Sequence, residues 1–150
     1  MQNKLKELKY GVKMESFSKK EVKERIRFAM NYVIPKKIQP IPYMGKINIE
    51  AVYEPAGGDK LISRCPVTGL VDFYDIRIKI IPDKLIPELK SVRDYLRGYA
   101  ELPISHEHLV AKVFKDFVFI LSPKWISIHL DVAIRGGLKT TVHYEYKFKD

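Results

Sequence analysis

Hydrophobic residues recur along this chain with two periods, and the switch between them lays out its elements. In "SKKEVKERIRFAMNYVI" (18–34), Val22, Ile26, Met30 and Val33 are spaced four, four and three apart. That spacing predicts a helix with Lys20, Lys23, Glu24 and Arg27 on its wet side. Pro35, Pro40 and Pro42 forbid its continuation and mark a linker or edge segment. From "KINIEAVYE" the period drops to two, with Ile47, Ile49, Ala51 and Tyr53 on one strand face. "FYDIRIKIIP" repeats it, setting Ile76, Ile78 and Ile80 against Asp75, Arg77 and Lys79 until Pro82. Such alternation predicts antiparallel strands with one face buried and the other wet.

The helical period then returns twice. "PELKSVRDYLRGY" carries a stripe of Leu85, Leu89, Val92, Leu96 and Tyr99, with Pro87 in the first turn. "SHEHLVAKVFKDFVFIL" carries Leu109, Val113, Phe117 and Leu121, with Ser105 as N-cap and Glu107 and Asp116 bracketing the stripe. Two strands close the chain. "WISIHLDVAI" buries Ile126, Ile128, Leu130, Val132 and Ile134, and "TVHYEYKF" buries Val142, Tyr144, Tyr146 and Phe148. Arg135, Gly136 and Gly137 make the turn between them, glycine allowing positive φ. The order ββααββ predicts an α+β fold, a four-stranded antiparallel sheet with two helices on one face, preceded by an N-terminal helical extension.

Composition narrows the class. At 150 residues, 46% hydrophobic and 30% charged, the chain suits one globular core. No apolar run approaches the roughly 20 residues that span a bilayer. "MQNKLKELKY" carries no secretory pattern, and a single cysteine cannot form an internal disulfide or a multi-thiolate zinc site. A cytoplasmic protein is expected. The net charge of +9, from 27 Lys+Arg against 18 Asp+Glu, would attract a phosphate-rich partner; a lysine-rich composition without nucleic-acid binding accounts for it equally.

"SRCPVTGLVDFYD" (63–75) holds that cysteine. Cys65 reads either as a small buried residue or as a nucleophile. Adjacent Arg64 would favour the thiolate, Pro66 and Gly69 shape a turn, and Asp72 is an acid within reach. A thiol and a carboxylate together suit covalent addition to an electrophilic carbon. His106, Glu107 and His108 form a second cluster at a helix start. Glu107 there is either good dipole electrostatics or a carboxylate for paired N–H donors of a purine-like edge, with His106 as a proton donor beside it. A metal site fits poorly, since adjacent histidines point to different helical faces. With no Walker loop or G-x-G-x-x-G, any nucleotide cofactor would be held unconventionally.

These motifs together resemble a known family. "CPVTGLVDF" resembles the Cys-Pro-x-Thr-Gly-x-x-Asp-Phe signature of the 7-cyano-7-deazaguanine reductases, nitrile reductases of the tunnelling fold. "ELKSV" (88–92), His106-Glu107 and the Arg135-Gly-Gly turn follow in matching order. The resemblance covers about residues 47 to 148 and implies a catalytic domain over 44–150, residues 1–43 being an extension of one helix and a proline-rich linker. It implies that Cys65 attacks the nitrile carbon to give a thioimide and that Asp72 protonates the nitrogen. Glu107 would hold the pyrimidine edge, with His106 assisting. Glu88 would join the substrate site, and Lys90, Ser91 and Arg93 would meet NADPH if the enzyme is a reductase. A multimeric barrel with sites at subunit interfaces is implied too, and no metal.

Departures from the reductase pattern point to a branch. Arg93 stands where the family has lysine, "GYAE" (98–101) replaces a Ser-x-Arg-Asn stretch that helps hold NADPH, and Leu70-Val71 replaces Gln-Pro. They resemble the archaeal QueF-like amidinotransferases, which add ammonia to the cyano base already in tRNA and need no NADPH. That reading, giving archaeosine, is placed first; NADPH-dependent reduction is the alternative, supported by Lys90 and Ser91. A non-catalytic protein binding a base or tRNA is the third reading.

Overall fold

The computed structural model describes residues 4–7 and 13–149. A hairpin of β1 (Lys4–Glu7) and β2 (Lys13–Ser16) leads into α1 (Lys19–Asn31). A reciprocal cap starts α1: Ser18 Oγ accepts from the Glu21 N–H at 3.2 Å, and the Glu21 carboxylate accepts from the Ser18 N–H at 3.3 Å. The helix stops at Asn31, short of the predicted end at 34, because the residue before Pro35 is pushed out of the helical region. Val33 is consequently 65% exposed, and Ala29 supplies the buried contact.

Short strands β3 (Pro40–Pro42) and β7 (Leu85–Pro87) pair antiparallel. The predicted first turn of the next helix is therefore a strand. Glu88, in an extended conformation, caps α2 (Leu89–Arg97), and this shifts the helix phase. Leu85 belongs to β7 and Leu89 faces out, while Tyr95 joins Val92 and Leu96 on the buried side.

The main sheet is antiparallel and has five strands, not four: β4 (Ala51–Tyr53), β5 (Leu61–Arg64), β6 (Val71–Ile81), β8 (Trp125–Arg135) and β9 (Leu138–Lys147). β6 is central. It pairs β8 along one side; on the other, β5 covers its first four residues and β4 its last part. β5 is too short for alternation to announce it. β4 is shorter than the pattern predicted, leaving Ile47 and Ile49 outside it and exposed. A register shift between Val132 and Arg135 turns Ile134 to solvent as well.

Ile76, Ile78 and Ile80 of β6 and Ile126, Ile128, Leu130 and Val132 of β8 face the helices. Against them lie α2 and α3 (His106–Leu121), the latter through Leu109, Val113, Phe117 and Leu121 as its spacing predicted. On β9, Tyr144 and Tyr146 are half-exposed; Tyr144 packs edge-on against Phe114 at 4.9 Å. Ala29, Ile34 and Ile38 join the same core. Lys112 of α3 fastens that segment, donating to the Tyr32 carbonyl at 2.6 Å where α1 ends. Among the described residues, no helix is long and apolar enough to cross a membrane.

Candidate active site

Period-two geometry assembles the first half of the site. Cys65 follows β5, in which Ser63 lies opposite Asp72 in register, and Asp72 shares a face with Tyr74 two residues on. Asp72 and Tyr74 are buried toward the helices; Cys65 is half-buried on its turn. That turn closes on itself: the Cys65 N–H donates to the Leu70 carbonyl and the Gly69 N–H to the Cys65 carbonyl, both at 2.8 Å. Gly69 sits at φ +76°, a conformation in which a side chain is strained.

The second half comes from a distant part of the chain. The Arg64 N–H donates to the Leu102 carbonyl at 3.0 Å, and the Ile104 N–H donates to the Arg64 carbonyl at 3.1 Å. This short parallel contact sets the start of α3 beside β5. Ser105 is the N-cap residue, yet its hydroxyl pairs with His108 Nδ1, making no side-chain cap to the backbone. Tyr74 donates to or accepts from His106 Nδ1 at 3.0 Å. Burial pushes the Tyr74 hydroxyl well above its ordinary range; the Ser63 hydrogen bond opposes this, and negative charge at Asp72, Cys65 and Glu107 adds to it. His106 thus touches Tyr74 directly, and the charges of Asp72, Cys65 and Glu107 are near enough to act on its hydroxyl.

Two cations are arranged differently from what the sequence implied. Arg64, beside the thiol in sequence, turns its guanidinium to Glu101 at 3.3 Å. Arg135, counted only as part of a turn, reaches across to pair with buried Asp72 and donates to Thr68 Oγ1 at 3.1 Å. Arg135 and Tyr74 are the functional candidates that sequence reasoning missed. The signal for Tyr74 was its place two residues after Asp72 on the buried face.

Glu88, Lys90 and Ser91 gather at the other helix, α2. Both Glu88 carboxylate oxygens cap it, accepting from the Lys90 N–H at 2.8 Å and the Ser91 N–H at 2.7 Å. Ser91 is buried, donating to the Glu88 carbonyl and accepting from the Gln39 N–H. A cavity of about 320 Å³ opens here, with Lys36, Lys37 and Lys90 on its walls. Arg93 points to a separate, largely apolar cavity of about 430 Å³ between α2 and the β4–β5 segment. Among the described residues, no three His, Cys, Asp or Glu side chains gather to hold a metal ion.

Comparison with known proteins bears on the family and the fold. The family model described as "QueF-like protein" matches residues 71–150. A protein of Syntrophus aciditrophicus named NADPH-dependent 7-cyano-7-deazaguanine reductase is 43% identical over 83 residues, which are 55% of this chain and 59% of that one. This chain therefore spans about three-fifths of that relative's length. A reductase of the same name from Caldanaerobacter subterraneus is 31% identical over 147 residues, 98% of this chain and 97% of its own. Among solved structures, the apo archaeosine synthase QueF-Like superposes with a TM-score of 0.53 at 17% identity, covering 66% of this chain and 90% of that one, a likeness of fold. With a family model matching more than half of its residues and a relative aligned from end to end, this chain belongs to the QueF-like, 7-cyano-7-deazaguanine reductase family.

Proposed function

We propose that this chain acts on the nitrile of 7-cyano-7-deazaguanine through Cys65, and that it reduces the nitrile with NADPH. The observation that carries this reading is its 31% identity over 147 residues to a protein named for that reaction. It reverses the order drawn from the sequence, where departures in "GYAE" favoured ammonia addition. Glu101 of that stretch pairs with Arg64, so its acid serves the Cys65 loop, and its presence does not speak against a cofactor.

In the proposed chemistry, Cys65 Sγ bonds the nitrile carbon while Asp72 takes the thiol proton and passes it to the nitrile nitrogen. One π bond of the nitrile breaks, and a thioimide results. Arg135 holds Asp72 in place for both transfers. Glu107, exposed at the helix start, accepts N–H donors from the base edge. NADPH, when bound, supplies hydride, two equivalents for a four-electron reduction. The lysines around the 320 Å³ cavity, Lys36, Lys37 and Lys90, fit its phosphates as point charges. Because Glu88 already occupies the first N–H groups of α2, those amides are committed to the protein.

A second reading, addition of ammonia to the same thioimide on tRNA, is favoured by the charge of +9. Self-association belongs to either reading, and β9 offers an edge strand for it. The test uses the full chain with free cyano base plus NADPH, and separately with cyano-base tRNA plus ammonium. Consumption of NADPH with an aminomethyl product supports the reductase. An amidine nucleoside formed without NADPH favours the second reading. No covalent mass on Cys65 with either substrate removes both.

A further inference from the structure

Tyr74 is placed where the sequence pattern alone would put a core residue, yet its hydroxyl is the junction of a buried polar chain. Its oxygen lies 2.8 Å from Ser63 Oγ and 3.0 Å from His106 Nδ1. Ser63, fully buried, is also 3.3 Å from the carbonyl of Ile104. The His106 and Tyr74 rings meet edge-on, with centroids 5.5 Å apart.

The direction of the protons in this chain follows from satisfaction of buried groups. The Ile104 carbonyl belongs to a residue with no exposed surface, and Ser63 is its donor among the described residues. Ser63 has one hydroxyl proton. Once that proton goes to Ile104, Ser63 can only accept, so Tyr74 donates to Ser63. Tyr74 has then spent its own proton and can only accept from His106, whose Nδ1 must carry hydrogen. The opposite wiring, with Tyr74 donating to His106, leaves the Ile104 carbonyl orphaned in the interior at a cost of about 1–3 kcal/mol. A tyrosine is protonated at neutral pH in any case, and burial extends that state to higher pH.

We infer that Ser63 and Tyr74 are positioning residues that hold neutral His106 in its Nδ1–H tautomer, leaving Nε2 as a hydrogen-bond acceptor. Among the described residues no group bonds Nε2. This deepens, and rests on, the reading of His106 and Glu107 as the binders of the base. Both then present acceptors, suited to a substrate edge carrying adjacent N–H donors such as a ring lactam N–H and an exocyclic amine. On this wiring Nε2 of His106 presents an acceptor, a different role from the proton donor expected from the sequence.

Long-range proton–nitrogen spectra of the full chain labelled with 15N-histidine read this directly. Four histidines are present, and His106→Asn identifies the set of signals that belongs to position 106. At a pH above imidazole titration, His106 is expected to show protonated Nδ1 and unprotonated Nε2, the reverse of free histidine. Tyr74→Phe should return it to the Nε2–H form and raise KM for the cyano base about tenfold, with kcat changed less. An Nε2–H tautomer in the unaltered chain would overturn the proposal, and that measurement needs no variant to fold. A tautomer unmoved in folded Tyr74→Phe would overturn it too. An Nδ1–H tautomer in a chain that modifies no cyano base leaves this wiring standing while removing the proposed function.

Discussion

The two ends of β6 share one strand and one buried face but hold opposite chemistry. Toward its end that face reads Ile76, Ile78 and Ile80, all within 2% of full burial. Toward its start it reads Asp72 and Tyr74, equally hidden. The apolar end, flanked in the sheet by β4 and β8, packs into the core shared with the helices and needs nothing but complementary volume. Each group at the polar end requires a named partner: Arg135 for Asp72, Ser63 and His106 for Tyr74. Burial at one end therefore stabilises the chain, whereas at the other it is sustained by partners from β5, α3 and the last residue of β8.

That contrast breaks in a definite order. Asp72→Asn keeps the shape of the polar end but removes the proton carrier proposed for it. Turnover should fall about a hundred- to ten-thousand-fold, with the affinity for the base retained; steady-state kinetics with binding calorimetry separate the two. Ile78→Ala at the apolar end should cost about 2–5 kcal/mol of stability in urea melts, while activity per folded molecule stays unchanged. If Ile78→Ala instead lost activity without losing stability, the two ends would not be separable. Arg135→Lys keeps a cation but loses the fork that spans Asp72 and Thr68, and should slow turnover about 10- to 100-fold.

The smallest expected effect is on alkaline stability. Burial raises the hydroxyls of Tyr74, Tyr95 and Tyr99, so the folded chain keeps protons that the unfolded chain sheds above an ordinary tyrosine value of 10.0. Their contribution is fully present below that value and fades as pH climbs toward the raised folded ones. Urea melts at about pH 8 and about pH 11 should show a decline that is shallower in Tyr99→Phe. An identical decline in both proteins would assign the loss to other groups.

Legibility in the sequence followed the length of each periodic run. α3, β6 and the buried face of β8 up to Val132 are where alternation or helical spacing placed them, since each buries a continuous stripe. β5, β3 and β7 escaped because three or four residues carry too little pattern, and their pairing comes from neighbours distant in the chain. Within the site, Cys65, Asp72, His106 and Glu107 were visible as motifs, and what the motifs could not show is the Tyr74–His106 hydrogen bond. Arg135 was visible only as a turn residue, because its value lies in reaching 63 positions back to Asp72. Arg64 shows the converse: next to the thiol in sequence, its guanidinium pairs with Glu101 and reaches the Gly69 carbonyl of the Cys65 turn at 3.5 Å.

By itself the sequence determined the residue chemistry and the two periods: a lone thiol on a glycine turn, an acid on the next strand, a His-Glu pair opening a helix. Local sterics and burial patterns are properties of short segments, so they can be read from short segments. Only the tertiary structure decided which cation serves which acid, that β5 docks on residues 102–104, and that Tyr74 ties the thiol end to His106. Those choices rest on the requirement that buried polar groups be paired, and pairing is decided by whatever the fold brings within about 3 Å.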